Sequence, residues 1–91
     1  MNSEVYILLG VKDNNFYYIS NTNPVMWTSD IRESKRYHSR YSAEVDILRD
    51  YDNYRTISSL IGNGKLDVLY LLTEVVGSVG EYIEKGRVKI L

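Results

Sequence analysis

Residues 4–19, Glu-Val-Tyr-Ile-Leu-Leu-Gly-Val-Lys-Asp-Asn-Asn-Phe-Tyr-Tyr-Ile, decide the fold. Val5, Ile7 and Leu9 alternate with Tyr6 and Leu8, so the spacing predicts a strand over residues 4–11 with apolar groups on both faces. Lys12-Asp13-Asn14-Asn15 is a polar cluster of residues that tolerate left-handed conformations, and Phe16-Tyr17-Tyr18-Ile19 is strongly β-prone. Together they predict a hairpin. One face of that hairpin can take helices, while the other needs cover from within the chain or from a partner, a second copy of the chain included.

Outward from the hairpin, Asn21-Thr22-Asn23-Pro24 breaks the ladder, because Pro24 has no amide hydrogen to donate, and Val25-Met26-Trp27 follows as a short third strand. Asp30 with Glu33 has capping-box spacing, which predicts a short helix over about residues 30–36. Ser39 or Ser42 then caps the main amphipathic helix, with Ala43, Ile47, Leu48, Tyr51 and Tyr54 on one stripe. Asp52-Asn53 and Thr56 through Ser59 are weak helix formers, so a break and a short helical turn are expected across residues 52–61. Gly62-Asn63-Gly64 is a stop signal for the helical segment. Residues 67–76 suit a central strand covered on both faces, with a buried helix as the competing reading, and a last strand bent at Gly86 pairs back on it. The predicted architecture is one α+β domain over residues 1–91, an antiparallel sheet of about four to five strands with one main helix and one or two short helices on one face.

With 91 residues the chain folds as a single unit and buries roughly 60 to 65% of the surface its unfolded form exposes. It has no cysteine, hence no disulfide framework, thiol nucleophile or cysteine metal site. Met1-Asn2-Ser3-Glu4 carries no basic leader signature and no apolar run is long enough to span a bilayer, so a cytoplasmic location without membrane contact is expected. Nine tyrosines, Trp27 and Phe16 make the chain unusually aromatic. Such side chains pair an apolar body with a polar tip and favour sheet faces and interfaces.

Reaction chemistry finds little footing. His38 is the one imidazole, sits between Arg36 and Arg40, and has no glycine-flanked serine beside it in the sequence. Asp46 and Asp50 share helical spacing, yet a hard cation wants several convergent oxygens. Asp50-Tyr51-Asp52-Asn53 starts like a calcium loop but has Arg55 at the turn-glycine place; Gly62-Asn63-Gly64-Lys65 lacks both the first glycine and the hydroxyl of a phosphate loop; Gly77-Ser78-Val79-Gly80 matches only bare KH-type glycine spacing. The expectation is a non-enzyme with no catalytic residue, no cofactor and no metal.

Charge is the informative feature. Arg32, Lys35, Arg36 and Arg40 against Glu33 leave residues 32–41 at about +3, whereas Glu44, Asp46, Asp50 and Asp52 against Arg49 leave residues 42–52 at about −3. A bipolar, tyrosine-bearing surface suits protein recognition, and the predicted contact residues are Arg32, Lys35, Arg36, Tyr37, Arg40, Tyr41, Asp46 and Asp50. The alternative is single-stranded nucleic acid tracked by the basic stretch with Tyr37 or Tyr41 stacking, against which stands the net charge of −1.

The run Tyr17-Tyr18-Ile19, Asn21, Trp27-Thr28, Asp30-Ile31, Ser34-Lys35, Tyr37, Ser39, Ala43-Glu44 resembles small bacteriophage and prophage proteins in which a hairpin, a Trp-Thr-x-Asp-Ile turn and a Ser-capped helix precede a terminal strand pair. The resemblance covers about the first half of the chain and carries no catalytic residue. It implies an accessory protein that binds and disables a host protein, of the anti-CRISPR or other anti-defence inhibitor class, acting in the host bacterial cytoplasm.

Overall fold

A computed structural model describes residues 3–91; Met1 and Asn2, on which the expectation for the start of the chain partly rests, lie outside them. The strands β1 (Ser3–Lys12), β2 (Asn15–Asn21), β3 (Met26–Thr28), β4 (Val68–Val76) and β5 (Tyr82–Lys89) form one antiparallel sheet in the order β3-β2-β1-β4-β5. β1 lies at its centre, paired with β4 from Ser3 to Val11 and with β2 from Leu9 to Lys12. The connecting turn is tighter than the polar cluster suggests: only Asp13 and Asn14 lie between the strands, both left-handed (φ 50° and 65°), as a two-residue hairpin matched to strand twist requires. In the β4–β5 pair the register shifts between Thr73 and Glu74, so Lys85 bulges out beside Gly86 and the strand runs on through the expected bend.

The helical segments depart from the expected boundaries. In place of a helix over 30–36 there is a single 3-10 turn, Ile31–Glu33, capped by Asp30 accepting the Arg32 N–H at 2.9 Å. The backbone beyond it is recruited by the sheet: Lys35 N–H donates to the Ile19 carbonyl, and Tyr37 exchanges both its backbone bonds with Tyr6 along the half of β1 that β2 leaves free.

Ser39 caps α1 (Arg40–Glu44), a wide π-type turn spans Val45–Arg49, and Asp50 turns extended (φ −84°, ψ 117°) before α2 (Tyr51–Gly62). The expected stripe therefore breaks after Ile47. Ala43 and Ile47 are buried, but Leu48, Tyr51 and Tyr54 point outward, because Asp50 accepts the Asn53 N–H and restarts the helix in a new phase that buries Asn53 and Ile57. The residues expected to break the helix form its longest part, their weak propensity overridden by packing of Ile57, Leu60 and Ile61. No helix of the described residues is long and apolar enough to cross a membrane.

The chain is thus α+β, and its apolar residues divide by strand alternation into two layers. Leu8, Ile19, Leu69 and Leu71 meet Ala43, Ile47 and Ile57 on the helix side. Trp27 closes that layer at the hairpin end by lying on Gly10, where a Cβ would fall 2.7 Å from Trp27 Cζ3 and 2.8 Å from Leu66 Cδ1. Val5, Ile7, Leu9 and Leu72 form the second layer, and among the described apolar residues packed on it the one from a helical segment is Ile31 of the 3-10 turn. β4 is buried on both sides, as expected of residues 67–76, yet helices cover only one of them.

Candidate interaction site

The segments carrying the predicted contact residues meet in space, but much of their charge is turned inward. Asp46 Oδ2 accepts from Thr22 Oγ1 at 2.9 Å, from Lys35 Nζ at 3.0 Å and from the Tyr37 hydroxyl. Lys35 Nζ also donates to Thr22 Oγ1 at 2.6 Å, and Asn53 Nδ2 donates to the Asp46 carbonyl at 2.9 Å. Tyr37 and Thr22 are buried. Burial pushes the Asp46 carboxyl up, but the bonds from Tyr37, Lys35 and Thr22 outweigh it and hold the group below the usual carboxylate range. Burial, then the bond to Asp46, push the Tyr37 phenol far up. Lys35, Tyr37 and Asp46 thus act as a node tying the sheet to the helical layer, and Asp50 is used as the cap of α2.

The remaining predicted residues spread over the surface. Arg32 chelates Asp30 through Nε and Nη2 at 3.1 and 3.0 Å, and Arg40 pairs with Glu44 at 2.7 Å. Tyr41 is 65% exposed beneath the Arg49 guanidinium. Arg36, one residue from Tyr37 along an extended segment, turns to the opposite side of the sheet and lies 5.3 Å from the centre of the Tyr82 ring. His38 is exposed, and among the described residues no three His, Asp or Glu side chains converge as ligands of a metal would.

Arg36 leads to the helix-free face. There Tyr18, Tyr70 and Tyr82 lie half-buried over the layer of Val5, Ile7, Leu9 and Leu72, and Phe16 at its edge is 45% exposed. The Arg87 guanidinium sits over two of these rings, 5.7 Å from the centre of Phe16 and 5.2 Å from that of Tyr70, while its Nε and Nη2 grip Glu84 at 2.9 and 2.7 Å. Such stacked, paired guanidinium groups are rigid and partly desolvated.

Among the described residues three buried side-chain polar atoms have no hydrogen-bond partner: Glu74 Oε2 and the Tyr82 hydroxyl on this face, and Ser58 Oγ on α2. Burial, then the nearby Glu84 charge, push the Glu74 carboxyl up, and Arg87 only partly offsets them. Burial and the Glu74 charge likewise push the Tyr18 phenol up. Buried polar atoms in folded proteins are nearly always paired, and two of the three orphans lie on the uncovered face.

The sheet edges are closed to strand addition by contrast. β5 carries Lys85, Arg87 and Lys89 with a bulge at Lys85, and β3 has three residues directly after the Pro24 loop. Charge, bulges and shortness are the devices that keep an edge from pairing. Arg87, Glu74 and Tyr70 were not among the residues read from the sequence as contacts. Their one visible signal is Glu74, the single acid inside the apolar run of β4.

Comparison of the chain with protein-family models, with curated proteins and with solved structures finds no match.

Proposed function

We propose that this chain is a non-catalytic protein-binding domain that docks through the helix-free face of its sheet. The observation that carries the reading is the pair of buried, unpartnered polar atoms beneath an array of half-exposed rings and stacked arginines. Tyr and Arg in partly desolvated settings are the residues that dominate protein interfaces. The resemblance to phage and prophage accessory proteins supports a host protein as the partner, whose activity the chain would block in the manner of an anti-CRISPR or other anti-defence inhibitor. Arg36 remains part of the contact surface, joined by Arg87, Phe16, Tyr70 and Tyr82.

The test is affinity capture from a host bacterial lysate with the wild-type chain, with Arg36→Glu combined with Arg87→Glu, and with Arg40→Glu as a control on the helix side. A single host protein retained by wild type and by the control, and released by the double variant with an unchanged circular dichroism spectrum, supports the reading. Equal retention by all three removes this face from consideration. Self-association of the wild type that the double variant abolishes would make a second copy the partner.

Single-stranded nucleic acid is the second reading, because rings on an open antiparallel sheet are an arrangement that stacks bases. The paired Glu74 and Glu84 carboxyls, on β4 and the edge strand β5, disfavour a phosphate backbone there. Oligonucleotide binding that weakens steeply with salt and is lost in Phe16→Ala would replace the first reading with this one.

A further inference from the structure

On the other side of the sheet lies a cleft that the helix-free face does not involve. α2 ends at Gly62, and the chain reverses through Asn63 and left-handed Gly64 (φ 79°), with the Lys65 and Leu66 N–H groups both donating to the Leu60 carbonyl at 2.9 and 3.0 Å. The helix therefore stops short of the hairpin end of the sheet. The Trp27 ring, which lies on Gly10 beside Leu66, forms one wall. The resulting cleft, about 230 Å³, is lined by Tyr17, Trp27, Leu60, Leu66 and Lys65.

Size and charge together restrict the occupant. Small-molecule sites run roughly 300 to 1,000 Å³, so a smaller apolar cleft suits one anchoring side chain of a peptide better than a cofactor. Lys65 is exposed at the mouth, and none of the ion pairs among the described residues involves it. The acid nearest in sequence, Asp67, is already engaged by Lys12 Nζ at 3.4 Å and by the Asp13 N–H at 3.0 Å. We propose that this cleft is a second docking site, taking an apolar side chain flanked by carboxylates from an acidic peptide segment: the side chain packs between Trp27 and Leu60, and a carboxylate meets Lys65.

Trp27 is the one tryptophan of the chain, so its emission reports on the cleft directly. The probes are the acetylated tripeptide amides Glu-Phe-Glu, Gln-Phe-Gln, Lys-Phe-Lys and Glu-Ala-Glu. Glu-Phe-Glu is expected to shift the emission saturably and to bind about threefold more tightly than Gln-Phe-Gln, which is the worth of an exposed ion pair. Glu-Ala-Glu, lacking the anchor, is expected to leave the emission unchanged. In Lys65→Glu, a change at an exposed position, the preference should reverse toward Lys-Phe-Lys. An unsaturable response to Glu-Phe-Glu, equal affinity for the acidic and neutral peptides, or a preference unaltered by Lys65→Glu would each overturn the proposal. Phe16→Ala should leave all of these results in place, which separates this site from the sheet face.

Discussion

Asp46 and Glu74 are both carboxylates withdrawn from water, one on the helix-covered side of the sheet and one on the open side. Asp46 receives three side-chain donors on a single oxygen and stays below the usual carboxylate range. Glu74, more deeply buried at 3% exposure, keeps an oxygen with no donor at all and is pushed up. The desolvation cost of a buried charge is the same physics in both places, and only the supply of donors differs. Around Asp46 the fold supplies the donors itself, whereas none of the described residues donates to Glu74 Oε2.

Removing Asp46 should have the largest effect. Asp46→Ala leaves Lys35, the Tyr37 hydroxyl and Thr22 without their acceptor, and a loss of about 3 kcal/mol is expected in urea unfolding, since breaking a largely buried pair from one side strands the other. A loss below about 1 kcal/mol would mean that water replaces the carboxylate freely and that the node is not structural.

The two layers should also differ in how they tolerate a change of volume. Gly10→Ala drives a methyl into Trp27 and Leu66 on the filled side and should cost about 2 kcal/mol. Phe16→Ala on the open face removes a much larger group that is 45% exposed, and should cost only about 0.5 to 1 kcal/mol. Equal costs would show that the open face is as tightly packed as the covered one. An effect of opposite sign is expected for Glu74→Met, which exchanges an unsatisfied buried carboxyl for an apolar chain of similar length and should gain about 1 kcal/mol.

The hairpin and the sheet were legible because their signals are local: Asp13-Asn14 demands a left-handed turn, and the alternation of Val5 to Leu9 demands a strand. The course of the helices was not. Whether Asp50 continues a helix or caps a new one depends on Asn53, whose side chain accepts the Asn23 N–H and donates to the Asp46 carbonyl, and Asn23 is far away along the chain. The candidate site was half legible for the same reason. Opposite charges in residues 32–52 are plain in the sequence, but that Lys35 meets Asp46 inside while Arg36 faces the other way follows from Tyr37 pairing with Tyr6. Alternation along β4 and β5 names the residues of the open face once the register is known, and a bulge at Lys85 sets that register.

The pH dependence of stability offers the finest test of the contrast. Asp46 has a lowered value in the folded state, so it contributes stability that is fully present above the ordinary aspartate range, near pH 4, and is lost as pH falls through its folded value. Glu74 has a raised value, so the folded protein binds its proton more tightly than the unfolded chain does. Stability from that group therefore declines as pH rises from the ordinary glutamate range, again near pH 4, through its folded value. Urea unfolding of wild type, Asp46→Asn and Glu74→Gln from pH 3 to pH 8 separates the two, because subtracting variant from wild type cancels the other acids. The wild-type advantage over Asp46→Asn should shrink toward low pH, and the Glu74→Gln advantage over wild type should grow toward neutral pH before levelling off. Differences of the same sign would mean that Glu74 finds a donor in solution. Once a partner is in hand, repeating the Glu74 measurement in the complex shows whether that partner supplies the donor: the slope should vanish on binding if it does.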